Sequence, residues 1–269
     1  MWRFAAQVGL VPGRDLHEKC ARLAEWGYNG IEVSGSDVVE RGYELRAAAA
    51  AAGIAVTSTC GGYHGWLVDP NPRSRTLAIG EIKRILAAGA MLGAAGLVVP
   101  AAYGISARAP LPPGRYLYSL QEEQAMLVDS LAQVAETAAQ VGSLVFLEPL
   151  NRYVDRVINT VAEAAAIVDS LGHPAVRIVP DFFHMNIEEA DIPATLRRYA
   201  PTIGHVHLSD SNREVPGRGH VDFAAGLAAL RESGYDGVLA IEATIPTDPA
   251  AALPQALAML QHAAKPSNR

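Results

Sequence analysis

The sequence predicts a barrel of eight parallel strands wrapped by helices, a single (β/α)8 TIM-barrel domain over residues 1–269. Three observations predict it. Short β-branched runs alternate with longer Ala/Leu-rich amphipathic segments along the whole chain. The alternation amounts to eight strand–helix units in 269 residues, and a barrel of this kind takes about 250. Most of the strand runs are continuously apolar, as parallel strands covered by helices are. A doubly wound open sheet is the alternative, but no Gly-x-Gly-x-x-Gly follows the first strand, so its dinucleotide-binding form loses support. No shift in composition marks a linker between domains.

Strands are expected near 5–11, 30–34, 55–60, 96–101, 143–149, 176–182, 203–209 and 237–243. Helices are expected near 15–26, 40–52, 74–92, 119–141, 160–171, 191–199, 222–232 and 249–263. In the first helix Leu16, Cys20, Leu23, Ala24 and Gly27 recur on one face. Asp15 with Glu18, and Thr160 with Glu163, have the spacing of a capping box. Asp248-Pro249 places a cap before a proline at the first helical position. The alanine run 47–52 suits a helix lying close to a sheet, because alanine is the best helix former. One joint recurs: Gly27-Tyr-Asn-Gly30-Ile and Gly234-Tyr-Asp-Gly237-Val each end a helix on glycine and turn into a buried strand.

Composition narrows the function. Half of the residues are apolar and 19% are charged, which supplies a core and excludes disorder. The net charge of −6 argues against a nucleic-acid or anionic-membrane partner. Two distant cysteines, Cys20 and Cys60, form neither a disulfide framework nor a thiolate metal cage. The first eleven residues read as a buried strand rather than a signal peptide. The uncharged stretch 85–107 has the length of a membrane span, but Gly89, Gly93, Gly96, Pro100 and Gly104 break it into a helix end, a turn and a strand. A cytoplasmic location is therefore expected.

In such barrels the chemistry sits at the C-terminal ends of the strands. Glu148 ends the fifth strand, Asp181 the sixth and Glu242 the eighth, and His207 lies near the end of the seventh. Each follows an apolar run and is drawn toward the core, where an unpaired charge is costly. Three carboxylates and an imidazole at one mouth repel one another unless a cation neutralises them. A divalent metal resolves this, and the hard donor set suits Mn²⁺, Mg²⁺ or Co²⁺, with Zn²⁺ a further candidate. The alternative is four separate helix caps or salt bridges. Their occurrence on four consecutive strands favours a shared site.

The runs Leu-Glu148-Pro-Leu-Asn151-Arg152, Asp181-Phe-Phe-His184-Met-Asn-Ile-Glu-Glu and His205-Val-His207-Leu-Ser-Asp-Ser-Asn-Arg213, with Glu242 beyond them, carry a resemblance. They resemble the D-tagatose/D-psicose 3-epimerase group of the xylose-isomerase-like barrel superfamily of sugar-phosphate isomerases and epimerases. The match is strongest from about 143 to 245. The resemblance implies a metal, usually manganese, magnesium or cobalt, held by Glu148, Asp181, His207 and Glu242. It implies that Glu148 and Glu242 also form the acid/base pair, one on each face of the substrate, and that His184 and Arg213 hold substrate oxygens. A metal that polarises a ketose carbonyl acidifies the adjacent C–H. One glutamate then removes the proton to give an enediolate and the other returns one to the opposite face. One departure stands out: the group's substrate-binding glutamate, six residues after the first metal glutamate, is Val154 here, with Asp155 beside it. Valine accepts no hydrogen bond, which weakens the case for a free ketose as substrate.

Other residues leave alternatives open. His205 faces the same way as His207 and reads as an inner-barrel residue rather than a ligand. Glu32, at the end of the second strand, contacts substrate or pairs with a cation. Tyr63, His64 and Trp66 lie in a long loop that covers the sugar or caps the barrel. The 216–220 segment reads as a flexible loop, with a substrate-phosphate site formed by Arg218 and the glycine amides as the less favoured alternative. The expected partner is thus a small sugar or sugar phosphate, with a homo-dimer or tetramer as the assembly. Dehydratases of inosose or 3-dehydroshikimate type share the superfamily and the proton abstraction. An endonuclease IV-like nuclease would need more metal ligands and a basic face. A non-catalytic sugar-binding barrel would not need the full ligand set.

Overall fold

A computed structural model describes residues 2–103 and 117–265. The strands are β1 (Arg3–Gln7), β2 (Gly30–Ser34), β3 (Ala55–Cys60), β4 (Gly96–Pro100), β5 (Leu144–Glu148), β6 (Val176–Ile178), β7 (Val206–Leu208) and β8 (Val238–Ile241). They form one parallel sheet in the order β6-β5-β4-β3-β2-β1-β8-β7. Parallel bridges between Ile178 and Ile203 and between Asp181 and His207 join its two ends. The curled sheet is therefore the expected barrel.

The helices are α1 (Leu16–Trp26), α2 (Gly35–Ala52), α3 (Pro72–Met91), α4 (Leu120–Val141), α5 (Val161–Leu171), α6 (Phe182–Glu188), α7 (Ile192–Tyr199), α8 (Phe223–Glu232) and α9 (Pro249–Ala263). The local signals explain their ends. Thr160 and Glu163 cap α5 reciprocally, as do Ser119 and Glu122 on α4. Asp248 caps α9 ahead of its first-turn proline. Asp15 accepts from Glu18 N, but the Glu18 carboxylate turns to Arg14 N instead of closing the box. The repeated joint is real: Tyr28 N donates to Leu23 O and Tyr235 N to Leu230 O, with Gly27 at φ 90° and Gly234 at φ 77°. Both are left-handed helix ends, which glycine adopts without a Cβ clash.

Five expectations need correction. β1 stops at Gln7, and residues 8–10 form a 3-10 turn, so the expected strand 5–11 begins and ends too late. α2 begins at Gly35 with a kink at Arg41, five residues before the expected start. β6 is only three residues long and α6 follows it, a helix that the spacing did not reveal. Asp181 therefore ends no strand; it caps α6 through Phe183 N. Glu32 lies in the middle of β2, not at its end. Of the uncharged stretch, residues 104–107 lie outside the described residues. Among the described residues no helix is long and apolar enough to cross a membrane.

Packing follows the pleat of the strands. Val145, Leu147, Leu239 and Ile241 join the large cluster shared with the helices. The alternate residues Ala5, Val238 and Ala240, and Val98, Phe146 and Val179, form separate small clusters inside the barrel. Phe146 is the bulky member. A Cβ on Gly96 would lie 2.6 Å from its ring and one on Gly204 2.8 Å, so both glycines make room for it. Above this apolar floor the same inward parity brings up Gln7, Glu148, Asp181, His207 and Glu242.

Candidate metal centre

The four expected ligands meet. One donor atom each from Glu148, Asp181, His207 and Glu242 lies within 4.8 Å of all the others. His207 Nδ1 is 2.9 Å from Glu242 Oε2 and 3.3 Å from Glu148 Oε1. Asp181 and His207 are fully buried and Glu148 nearly so. The Glu242 side chain keeps 20% exposure and opens the cluster toward the mouth.

The electrostatics of this set are those of a site that wants a cation. Burial pushes the Glu148 carboxyl up to about 7, and the nearby charge of Glu242 adds to the rise. Burial acts on Glu242 in the same direction, but His207 and Arg213 overcome it and hold that carboxyl below its usual range. Burial would lower His207, yet the carboxylates of Glu32 and Glu242 raise it well above the ordinary imidazole value. Three carboxylates around one imidazole nitrogen form a hard donor set that fits a divalent ion of the expected class, which would take the place of the imidazole proton.

Arg213 is brought into the same cluster. Its Nη1 donates to Asp181 and Ser209, its Nη2 lies 2.8 Å from Glu242 Oε2, and its guanidinium covers the Phe183 ring at 5.1 Å. Its backbone is left-handed, at φ 64°, and Thr244 N and Oγ1 clamp its carbonyl. Such strain in a non-glycine residue costs on the order of 1–3 kcal/mol and persists only where surroundings impose it. His184, in the first turn of α6, is buried. Its Nδ1 accepts from the Asn151 backbone N at 3.0 Å and from Asn151 Nδ2 at 2.9 Å. Its proton must then sit on Nε2, leaving a directed donor. Burial lowers its pKa, which keeps the ring neutral.

The residues left open also resolve. His205 is buried, stacks on Phe146 at 5.2 Å and donates to Glu32, so it is an inner-barrel residue. Glu32 pairs with imidazoles inside the barrel. Asp155 is buried and its Oδ1 accepts from Arg156 N and Val157 N, so it does not take the place vacated at Val154. The 216–220 loop is organised around Asp210, whose carboxylate accepts from the amides of Ser211, Gly217, Gly219 and Val221. Those amides are already used by an internal anion and are not left for a phosphate. Tyr63 packs edge-on against Trp66, and Trp66 against the exposed Tyr103, beside the mouth. Sequence reasoning missed Gln7, Ser58 and Asp210. Gln7 had a signal, since it stands two residues beyond Ala5 on the inward face of β1.

An eight-stranded parallel barrel with three carboxylates and a histidine gathered at its mouth defines the class of protein. The chain matches the family described as xylose isomerase-like TIM barrel over residues 20–263, and it belongs to that family. It is 40% identical over 245 residues to the 3-dehydro-D-guloside 4-epimerase of Escherichia coli K12, covering 91% of this chain and 93% of that one. It is 37% identical to the D-psicose 3-epimerase of Agrobacterium fabrum, but only over 120 residues, 45% of this chain and 42% of that one. The apo crystal structure of an Escherichia coli 3-keto-D-glucoside 4-epimerase superposes with a TM-score of 0.94 at 38% identity, over 97% of this chain and 100% of that one. A D-psicose 3-epimerase of Clostridium cellulolyticum with D-tagatose gives 0.87 over 98% of this chain and 100% of that one, and at 23% identity it speaks for the fold alone.

Proposed function

We propose that this chain is a divalent-metal-dependent epimerase of keto-sugars that works by proton transfer through an enediolate. The observation that carries the reading is the convergence of Glu148, Asp181, His207 and Glu242, with Glu148 and Glu242 both at the same imidazole nitrogen. These four residues hold the metal, with Mn²⁺ the first choice. When bound, the ion polarises the substrate's carbonyl and neighbouring hydroxyl and so acidifies the C–H between them. Glu148 and Glu242 face the substrate from opposite sides; one removes the proton and the other returns one to the opposite face. They exchange roles in the reverse direction. His184 offers Nε2–H to a substrate oxygen, and Arg213 holds Glu242 and Asp181 in place while presenting its fork to the same oxygens. Proton transfer of this kind is worth about 10²–10⁴-fold.

The substrate class follows from three supports. The relative that is similar over nearly the whole chain is a 4-epimerase of a 3-dehydro-guloside. Val154 stands where the 3-epimerase group has its substrate-binding glutamate, and Asp155 is engaged by its own loop. The Gly217 and Gly219 amides are taken by Asp210. A 3-keto-glycoside without phosphate, inverted at the carbon next to its carbonyl, is the reading these favour. It comes with one domain over residues 1–269, a cytoplasmic location, a homo-oligomeric assembly and neither nucleic acid nor membrane as partner.

The test is an NMR assay of Mn²⁺-loaded protein with 3-keto-glycosides, free ketoses and ketose phosphates in D₂O. Conversion of a 3-keto-glycoside to its 4-epimer with one solvent deuterium at that carbon is expected. Loss of a water-sized mass would make the protein a dehydratase instead. Deuterium in the phosphates alone would refute the substrate class.

A further inference from the structure

Beside the three candidate ligand carboxylates lies a fourth, fully buried one. Glu32 is fully buried inside the barrel, and four donors converge on it. Gln7 Nε2 donates to Oε1 at 3.0 Å, Ser58 Oγ to Oε2 at 2.7 Å and His205 Nε2 to Oε2 at 2.9 Å. The fourth is His207 Nε2, 3.0 Å from Oε1 and 3.2 Å from Oε2. All four are hydrogen-bond donors, so the acceptor they surround is a carboxylate with both oxygens occupied.

The consequence falls on His207. A neutral imidazole has one N–H, and whichever nitrogen carries it cannot bind a metal. With Nε2–H committed to an acceptor that cannot donate back, the proton a metal would displace is the one on Nδ1, the nitrogen that faces Glu148 and Glu242. Gln7 extends the same control, since its Nε2 also donates to Glu242 Oε1 at 2.9 Å, leaving Oε2 toward the cluster. From this geometry we infer that Glu32 is a positioning residue: held by Gln7, Ser58 and His205, it fixes the metal-binding tautomer and ring orientation of His207 and, through Gln7, the rotamer of Glu242. The inference rests on the metal reading of the four-residue cluster. A carboxylate bonded to a ligand histidine is a general device for raising ligand basicity, and its loss typically costs about 10–100-fold in metal affinity.

The test is calorimetric titration of Mn²⁺ into the metal-stripped full-length protein, with thermal unfolding and circular dichroism of each metal-free variant alongside. Glu32→Gln keeps the shape but offers His207 and His205 a group that both donates and accepts. It is expected to stay folded and to bind Mn²⁺ about 10–100-fold more weakly. His205→Asn, which removes one donor from Glu32 and leaves the four ligands alone, is expected to weaken binding severalfold. The double variant is expected to bind no worse than Glu32→Gln, because both act through one carboxylate. Wild-type affinity in a folded Glu32→Gln, or fully additive losses in the double variant, overturns the inference and leaves the metal reading intact. If the wild type itself takes up no Mn²⁺, the functional reading fails and this inference fails with it. Should Glu32→Gln not fold, His205→Asn decides: undiminished Mn²⁺ affinity in that variant overturns the inference.

Discussion

On β5 and β8 the outward face carries Val145, Leu147, Leu239 and Ile241, packed under the helices. The inward face carries Phe146 and Ala240 and then, one pleat further along, Glu148 and Glu242. The same eight strands therefore build two different interiors. The outer one is mainly apolar and its role is cohesion. The inner one changes from an apolar floor to a polar upper tier within two residues. The difference teaches that burial alone does not mark a structural residue in this fold. What marks it is whether a buried side chain lies on the outward parity or at the upper end of the inward one.

The comparison can be broken first at the upper tier. Glu242→Gln removes a proton-transfer group and a ligand charge together, and turnover should fall by at least about 10²–10⁴-fold in steady-state kinetics with the accepted keto-sugar. Retained turnover would separate Glu242 from the chemistry. The apolar floor should answer in stability instead. Phe146→Ala should cost about 3–5 kcal/mol in denaturant unfolding of the metal-free protein, because the ring is fully buried between Gly96 and Gly204. A loss below about 1 kcal/mol would show that the floor collapses to fill the space.

A pH experiment sharpens the contrast between the tiers. In the metal-free protein Glu148 is raised from 4.5 to about 7. Between those values the unfolded chain ionises this group and the native chain does not, so the native state binds more protons. The Glu148 contribution to stability must therefore fall as pH rises through that window. Relative to Glu148→Gln, metal-free wild type should lose stability from pH 4.5 to 7, as read by denaturant unfolding at each pH. Mn²⁺ should cancel the loss, and its affinity should rise across the same window with protons released on binding. A gap that does not change with pH would remove Glu148 from the buried, cation-seeking set. The smallest effect belongs to the outer layer's helix ends. Thr160→Ala opens the capping box of α5 and should cost about 1 kcal/mol, with Mn²⁺ affinity unchanged in calorimetry.

Much of this was legible along the chain. The glycine joints at 27 and 234, the proline-led cap at Asp248 and the apolar strand runs each specify local geometry within a few residues. Glu148, His207 and Glu242 follow those runs and were legible for the same reason, since strand ends and barrel mouths coincide, whereas Asp181 caps α6 beyond its short strand. Glu32 was harder to place, because a glutamate in mid-strand looks like any other until its donors are known. They lie on β1, on β3, on β7 and just before β7, up to 175 residues away. Helix α6 was hidden by its shortness, and Asp210 because the donors it accepts from are backbone amides, which carry no sequence signature.

By itself the sequence determined the barrel, the order of its units and the four side chains at its mouth, because period, capping and strand-end placement act over short stretches of chain. Tertiary structure alone decided which nitrogen of His207 faces the cluster, that Arg213 lies on Asp181 and Glu242, and that the Gly217 and Gly219 amides are occupied by Asp210. Those outcomes depend on closing the sheet between β6 and β7 and bringing distant strands to hydrogen-bonding distance, and no local pattern encodes a distance across a barrel.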